Sequence, residues 1–230
     1  MADVTRRKLM AGLAVSAAAG MAATGAGCEA TKGAKKLRAF KNEEFYDADG
    51  TFNQEAAKQA YYELMEYHGY PKYESLKEVL WVLDFAVGRF TDVGMGGVFW
   101  LNEWVEEGKY GYLGHEIFLL PGQMIPEHRH VQHEDVPPKM EGWHCRYGEV
   151  FLFAEGDPSP DAEKIIPASE LKFTTCRNVQ RLAPGEVGKL GKPLAPHFQV
   201  AGPEGEIVSE YASYHSMDAL RFTNPDIKLD

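Results

Sequence analysis

Residues 121–153, PGQMIPEHRHVQHEDVPPKMEGWHCRYGEVFLF, hold most of the candidate chemistry of this chain and set its fold class. The runs 124–131 and 143–153 are rich in aromatic and β-branched residues and are bounded by Gly and Pro, the texture of strands. A strand turns alternate side chains to opposite faces, so His128 and His130 share one face and Arg129 takes the other. Two imidazoles placed that way suit a single metal ion. Two carboxylates, Glu134 and Glu141, compete to join them.

Outward from this stretch the same texture continues. Runs at 97–101, 112–120, 171–175, 187–190, 197–200 and 206–214 read as strands, with turns at Asp157-Pro158-Ser159-Pro160 and Ala183-Pro184-Gly185. Short strands at such spacing favour an all-β sandwich or barrel. Before them, Ala56, Ala57, Ala60, Tyr61, Leu64, Met65 and His68 recur at helical spacing, with Asn53 as N-cap and Gly69 and Pro71 as the stop. A second short helix is expected near Ser75, and the LWVLDF run at 80–85 either finishes it or starts a strand.

The first 30 residues read as an export signal. Arg6, Arg7 and Lys8 precede an apolar run from Leu9 to about Ala23 that is too short and too weakly apolar to span a bilayer. Thr5-Arg6-Arg7-Lys8-Leu9-Met10 resembles a twin-arginine signal. Gly25-Ala26-Gly27-Cys28 resembles a lipoprotein cleavage site, though without the usual Leu three residues before the Cys, so a lipid anchor at Cys28 and an unmodified thiol are both open. Residues 31–40 read as a linker and 41–230 as one domain, which places the protein in the periplasm or on the envelope. Cys145 and Cys176 sit in strand-like runs and read as buried thiols rather than a disulfide. A net charge of -10 without a long basic run excludes electrostatic binding of nucleic acid.

The spacing around the two histidines resembles the first motif of the cupin superfamily: Gly, five residues, His-x-His, a gap, Glu, six residues, Gly. Gly122, His128 and His130 fit it; counting forward from Glu141 lands on Gly148, whereas counting from Glu134 lands on Glu141. Glu141 is therefore preferred, and His133, Glu134 and Asp135 fall in an inserted loop. The resemblance implies a jelly-roll-like β-barrel with one or two N-terminal helices packed outside. It also implies a fourth ligand after a Pro-Gly turn, matched by His197 beyond Pro184-Gly185. His115 and His144 have no motif position and read as structural; His215 is a candidate for the pocket wall.

A narrower resemblance covers most of the chain after the leader. GYPKYESLKEVLWVLDFAVGRF, VGMGGVFWLNE, GHEIFLLPGQMIPEHRH, KMEGW and PHFQVAGPEGEIVSEYASYHSMDALRFTNP are similar to the D-lyxose isomerase family. That family pairs its metal-binding Glu with a Lys two positions earlier, as in Lys139-Met140-Glu141. The resemblance implies interconversion of an aldose and a 2-ketose with a divalent metal, Mn2+ foremost and Fe, Co, Ni or Zn open, bound by His128, His130, Glu141 and His197. It assigns Glu210 as the base, Lys139 as a second catalytic group, and Asp218 beside them as a sugar-binding residue; a homodimer is expected. The competing readings are a cupin oxygenase and a non-catalytic sugar-binding cupin. Only the isomerase needs the Lys139 and Glu210 proton shuttle.

Overall fold

Asn53 opens the first helix, α1 (Gln54–His68), by accepting a hydrogen bond from the Ala56 backbone N–H at 3.0 Å. Gly69, at φ 70°, closes it. Its buried stripe is Ala57, Ala60, Tyr61, Leu64 and Met65. Burial of each large apolar side chain contributes about 1.5–3 kcal/mol, so together they outweigh the cap, worth about 1 kcal/mol. The stripe packs with Phe45, Phe90 and Phe118 in one of three core clusters. A second helix, α2 (Leu76–Val79), follows and gives way to β1 (Trp81–Leu83).

The structure, a computed structural model, describes residues 36–229. The export signal, Cys28 and linker residues 31–35 lie outside them. Residues 36–40 are held against the fold: Arg38 bonds Glu44 and Glu63 at 2.6 Å each, and Leu37 and Phe40 pack on the α1 cluster. Among the described residues no helix is long and apolar enough to cross a membrane. Cys145 and Cys176 are free and buried.

The remaining strands are β2 (Met95–Val105), β3 (Tyr110–Leu119), β4 (Met124–His130), β5 (Glu141–Ala154), β6 (Asn178–Leu182), β7 (Val187–Lys189), β8 (His197–Ala212) and β9 (Leu220–Phe222). They form one antiparallel sheet in which β1–β2–β3–β8–β4–β9 run side by side and β5 pairs with β6, β7 and β8. This is the all-β architecture expected, with its helices before the strands.

The expected strands at 197–200 and 206–214 are one strand, β8, which runs on through Gly202 and Pro203. Its first part lies between β4 and β5, its second between β3 and β5. The run 171–175 is not a strand but a turn. The buried Glu127 carboxylate ties its end instead, accepting from the backbone N–H groups of Thr175 and Cys176 at 2.8 Å each.

The β5–β8 ribbon bends back on itself. Glu141 pairs with Ala212 and Ala154 pairs with His197. Fully extended, the 16 residues of β8 would span about 50 Å at ~3.3 Å per residue. Yet Glu141 Oε1 lies 2.8 Å from His197 Nε2. The fold in the ribbon falls where the register shifts, between Gly148 opposite Glu206 and Val150 opposite Ala201. Across that shift the buried parity of β5 changes from Glu141, Trp143 and Cys145 to Val150 and Leu152.

Gly148 makes the bend, with φ +74° and the Gly205 carbonyl oxygen 2.0 Å from where a Cβ would stand. Gly148→Ala is expected to cost more than about 2 kcal/mol in urea unfolding, since the left-handed backbone alone costs a side chain about 1–2 kcal/mol and the contact adds to it. Gly122→Ala, at φ +73° with open space around it, should lose only the backbone part.

Candidate metal centre

His128 and His130 project from the same face of β4, their ring centroids 5.1 Å apart. His197 opens β8 directly opposite His128 in the ladder, at 4.4 Å between centroids. Glu141 opens β5 and reaches the same place through the folded ribbon. One ligand atom from each of His128, His130, Glu141 and His197 lies within 4.8 Å of the others. The sequence distance between these residues is thus closed by register and curl.

The donor set fits a divalent first-row cation. His128 Nδ1 and His197 Nδ1 donate to the carbonyls of Pro126 and Ala195, each at 2.9 Å, which leaves their Nε2 lone pairs free to ligate. His130 Nε2 and His197 Nε2 lie 3.2 and 2.8 Å from Glu141 Oε1, but none of these three buried atoms has a hydrogen-bond partner. They converge without pairing, as ligands around a common ion do. Burial, together with the neighbouring His197 and His130, holds His128 well below the ordinary imidazole range. Burial also lowers His130. Burial pulls His197 down as well, but the Glu141 charge outweighs it and the net shift is upward. Glu141 resists its own burial because Lys139, His197 and His130 surround it, and its carboxyl stays well below the usual range. Three imidazoles and a carboxylate select a transition ion without choosing among Mn, Fe, Co, Ni and Zn.

Lys139 sits between two acids. Its ammonium donates to Glu141 Oε2 at 2.6 Å and to Glu210 Oε1. Burial opposes its charge, yet the two carboxylates prevail and its pKa is raised. It is therefore held as an ammonium that donates to both acids. Glu210, on β8, is buried and lies between His115 of β3 and Trp143 of β5 in the ladder. His115 Nδ1 meets Glu210 Oε2 at 2.8 Å. These groups and the four clustered residues line one cavity of about 230 Å³, with Trp81, Phe99, Phe222 and Leu229 among its apolar walls.

The structure brings His128, His130, Glu141, His197, Lys139 and Glu210 together. It does not bring Asp218 with them: that residue is exposed on a 3-10 turn (Met217–Ala219) and lies outside the cavity wall. Met217 of the turn borders the cavity while half exposed, and His215 just before it lines the cavity, stacked on Phe99. Burial drives the His215 pKa down to about 2, so its ring is neutral. Glu134 is exposed at φ 51° in the inserted loop, between His133 and Val136, which pair with each other. Arg146 donates to Ser209 Oγ at 3.2 Å. His115 is the site residue that motif reading misses. Its only sequence signal is parity: it faces the same side of β3 as Ile117, which also lines the cavity.

No protein-family model matches the chain. Among curated proteins, the D-lyxose/D-mannose isomerase of Thermosediminibacter oceani is 34% identical over 152 residues, which are 66% of this chain and 80% of the relative. The chain belongs to the D-lyxose isomerase family. The D-lyxose ketol-isomerase of Cohnella laeviribosi is 33% identical over 147 residues, 64% of this chain and 77% of its own. Among solved structures, L-ribose isomerase of Acinetobacter sp. DL28 in complex with L-ribose superposes with a TM-score of 0.54 at 16% identity, covering 75% of this chain and 90% of that one. Ligand-free L-ribose isomerase of Cellulomonas parahominis gives 0.52 at 18% identity, covering 75% and 89%. At such identities the likeness shows the fold alone. These neighbours share the curled all-β architecture described above.

Calorimetric titration of the metal-stripped protein with Mn2+ separates the two candidate carboxylates. Glu141→Gln is expected to weaken binding by more than about 100-fold, since it removes an anionic ligand among imidazoles. Glu134→Gln should bind as the parent does.

Proposed function

We propose that this protein is a metal-dependent aldose–ketose isomerase. Its nominal pair is D-lyxose and D-xylulose, with D-mannose and D-fructose as further substrates. The observation that carries this reading is the buried chain Glu141–Lys139–Glu210 beside the clustered histidines, because binding a sugar needs no proton-transfer groups whereas isomerising one does. Family membership supports the same reaction.

His128, His130, Glu141 and His197 would hold the cation. Mn2+, the ion that the family resemblance implies, would supply Lewis-acid polarisation of the carbonyl and the adjacent hydroxyl. The reaction moves two protons, from C2 to C1 and from O2 to O1. Glu210 removes the C2 proton and returns it to C1 of the enediolate. Lys139, held as an ammonium, directs hydrogen bonds at the negative charge gathering on the two oxygens and relays the proton between them. Trp143 and Phe99 form apolar walls that keep water from this exchange. The cavity, smaller than the ~300–1,000 Å³ of drug-sized pockets, suits a single monosaccharide.

The reading extends to an exported homodimer. The family's reaction joined to a twin-arginine-type signal suggests isomerisation of free sugars outside the cytoplasm, and fractionation that recovers the mature protein in the cytoplasm would refute that part.

Purified protein loaded with Mn2+ and offered a panel of pentoses and hexoses should form ketose from D-lyxose. Glu210→Gln is expected to lower kcat by about 100- to 10,000-fold, the usual worth of a general base, with little change in KM. Failure to convert any aldose would sink the proposal. Full turnover by the Gln variant would sink the assignment of Glu210.

A further inference from the structure

From the way it is fixed in the barrel wall, we infer that His115 is a positioning residue that aims the Glu210 carboxylate. The inference rests on the isomerase reading. Three features support it.

The first is register. Phe99, His115, Glu210 and Trp143 occupy one continuous row across β2, β3, β8 and β5, each paired with the next. Directly opposed side chains on an antiparallel pair lie about 4.5–5.5 Å apart at Cβ. The ladder itself therefore delivers the imidazole to the carboxylate.

The second is the way the ring is held. Phe99 packs on one side at 4.4 Å between centroids, and the Trp81 indole stacks near-parallel at 5.5 Å and 19°. Gly97 provides the room: a Cβ there would stand 2.4 Å from Trp81 Cζ2 and 2.5 Å from His115 Nε2. The ring has one orientation, in which Nδ1 meets Glu210 Oε2 and Nε2 lies over the Gly97 backbone without a hydrogen-bond partner.

The third is division of labour at the carboxylate. A carboxylate only accepts, so His115 Nδ1 carries the hydrogen and donates. Glu210 takes Lys139 on Oε1 and His115 on Oε2. Lys139 supplies charge. Neutral His115 supplies direction without adding a second cation, and each oxygen keeps a lone pair for the substrate proton. With Lys139 as its sole partner, the Glu210 carboxylate would be held by one oxygen and free to turn about that contact.

His115→Phe keeps the aromatic packing and removes the donor. His115→Asn places an amide N–H where Nδ1 was. The Phe variant should lose about 10- to 100-fold in kcat, the worth of a hydrogen bond to a charged group, with KM within about twofold and the thermal midpoint close to that of the parent. The Asn variant should recover most of the loss. A His115→Phe enzyme with parental kcat, a loss that falls on KM, or an Asn variant no better than Phe would overturn the inference. Nitrogen-15 NMR of the ligand-free protein provides a readout independent of turnover: His115 should be the Nδ1–H tautomer, and Glu210→Gln should shift that proton. An Nε2–H tautomer overturns the inference whatever the protein converts. A parent protein that converts no aldose overturns the isomerase reading instead, and the tautomer still decides the hydrogen bond.

Discussion

The doubling of the β5–β8 ribbon at Gly148 and Gly205 is the constraint from which the site follows. Four residues from three strands meet only because the two ends of this long antiparallel pair are brought face to face. The turn is possible because neither backbone carries a side chain at the point of contact. A closed sheet needs such a corner, and glycine with a bulge is the means by which strands make one. The cupin motif's final glycine has a physical meaning here. It folds the β5–β8 ribbon and offers no ligand.

Much of this architecture is legible in the sequence because period and punctuation survive in long elements. The α1 stripe, its Asn53 cap and its Gly69 stop are local chemistry, and the structure repeats them, with Ala56 and His68 half-buried at the edge of the stripe. Where the reading and the structure part, non-local pairing has overridden local signals. Gly202-Pro203 looks like a break, but β5 continues to pair on both sides of it, so β8 is one strand. Residues 171–175 have strand-like composition, but Leu171 and Phe173 donate to the Pro167 and Glu170 carbonyls in turns, and Thr175 donates to Glu127 from another part of the chain. The strands β1, β6 and β9 are too short to leave a period and exist because a neighbouring edge needs pairing.

The site divides along the same line. Residues bound to a counting rule, His128, His130 and Glu141, can be read from spacing, and the glycine seven places on is what separates Glu141 from Glu134. Lys139 follows from the Lys-x-Glu pair. His115 cannot be read this way, because its meaning lies in a hydrogen bond to a residue 95 positions away. Asp218 is matched by sequence alone: its 3-10 turn leaves it exposed, with His215 on the cavity wall instead.

The buried triad also fixes how much charge the pocket tolerates. Two carboxylates, Glu141 and Glu210, against one ammonium, Lys139, leave a formal balance of one negative unit in a space nearly shut off from water. A monovalent ion would cancel that balance and leave nothing to attract an anion. A divalent ion would invert it to one positive unit, which a neutral sugar leaves unchanged and the passage of the C2 proton to Glu210 only redistributes. The net charge of the pocket would then stay constant through the exchange, so that the proton moves between groups inside the wall and none has to cross it.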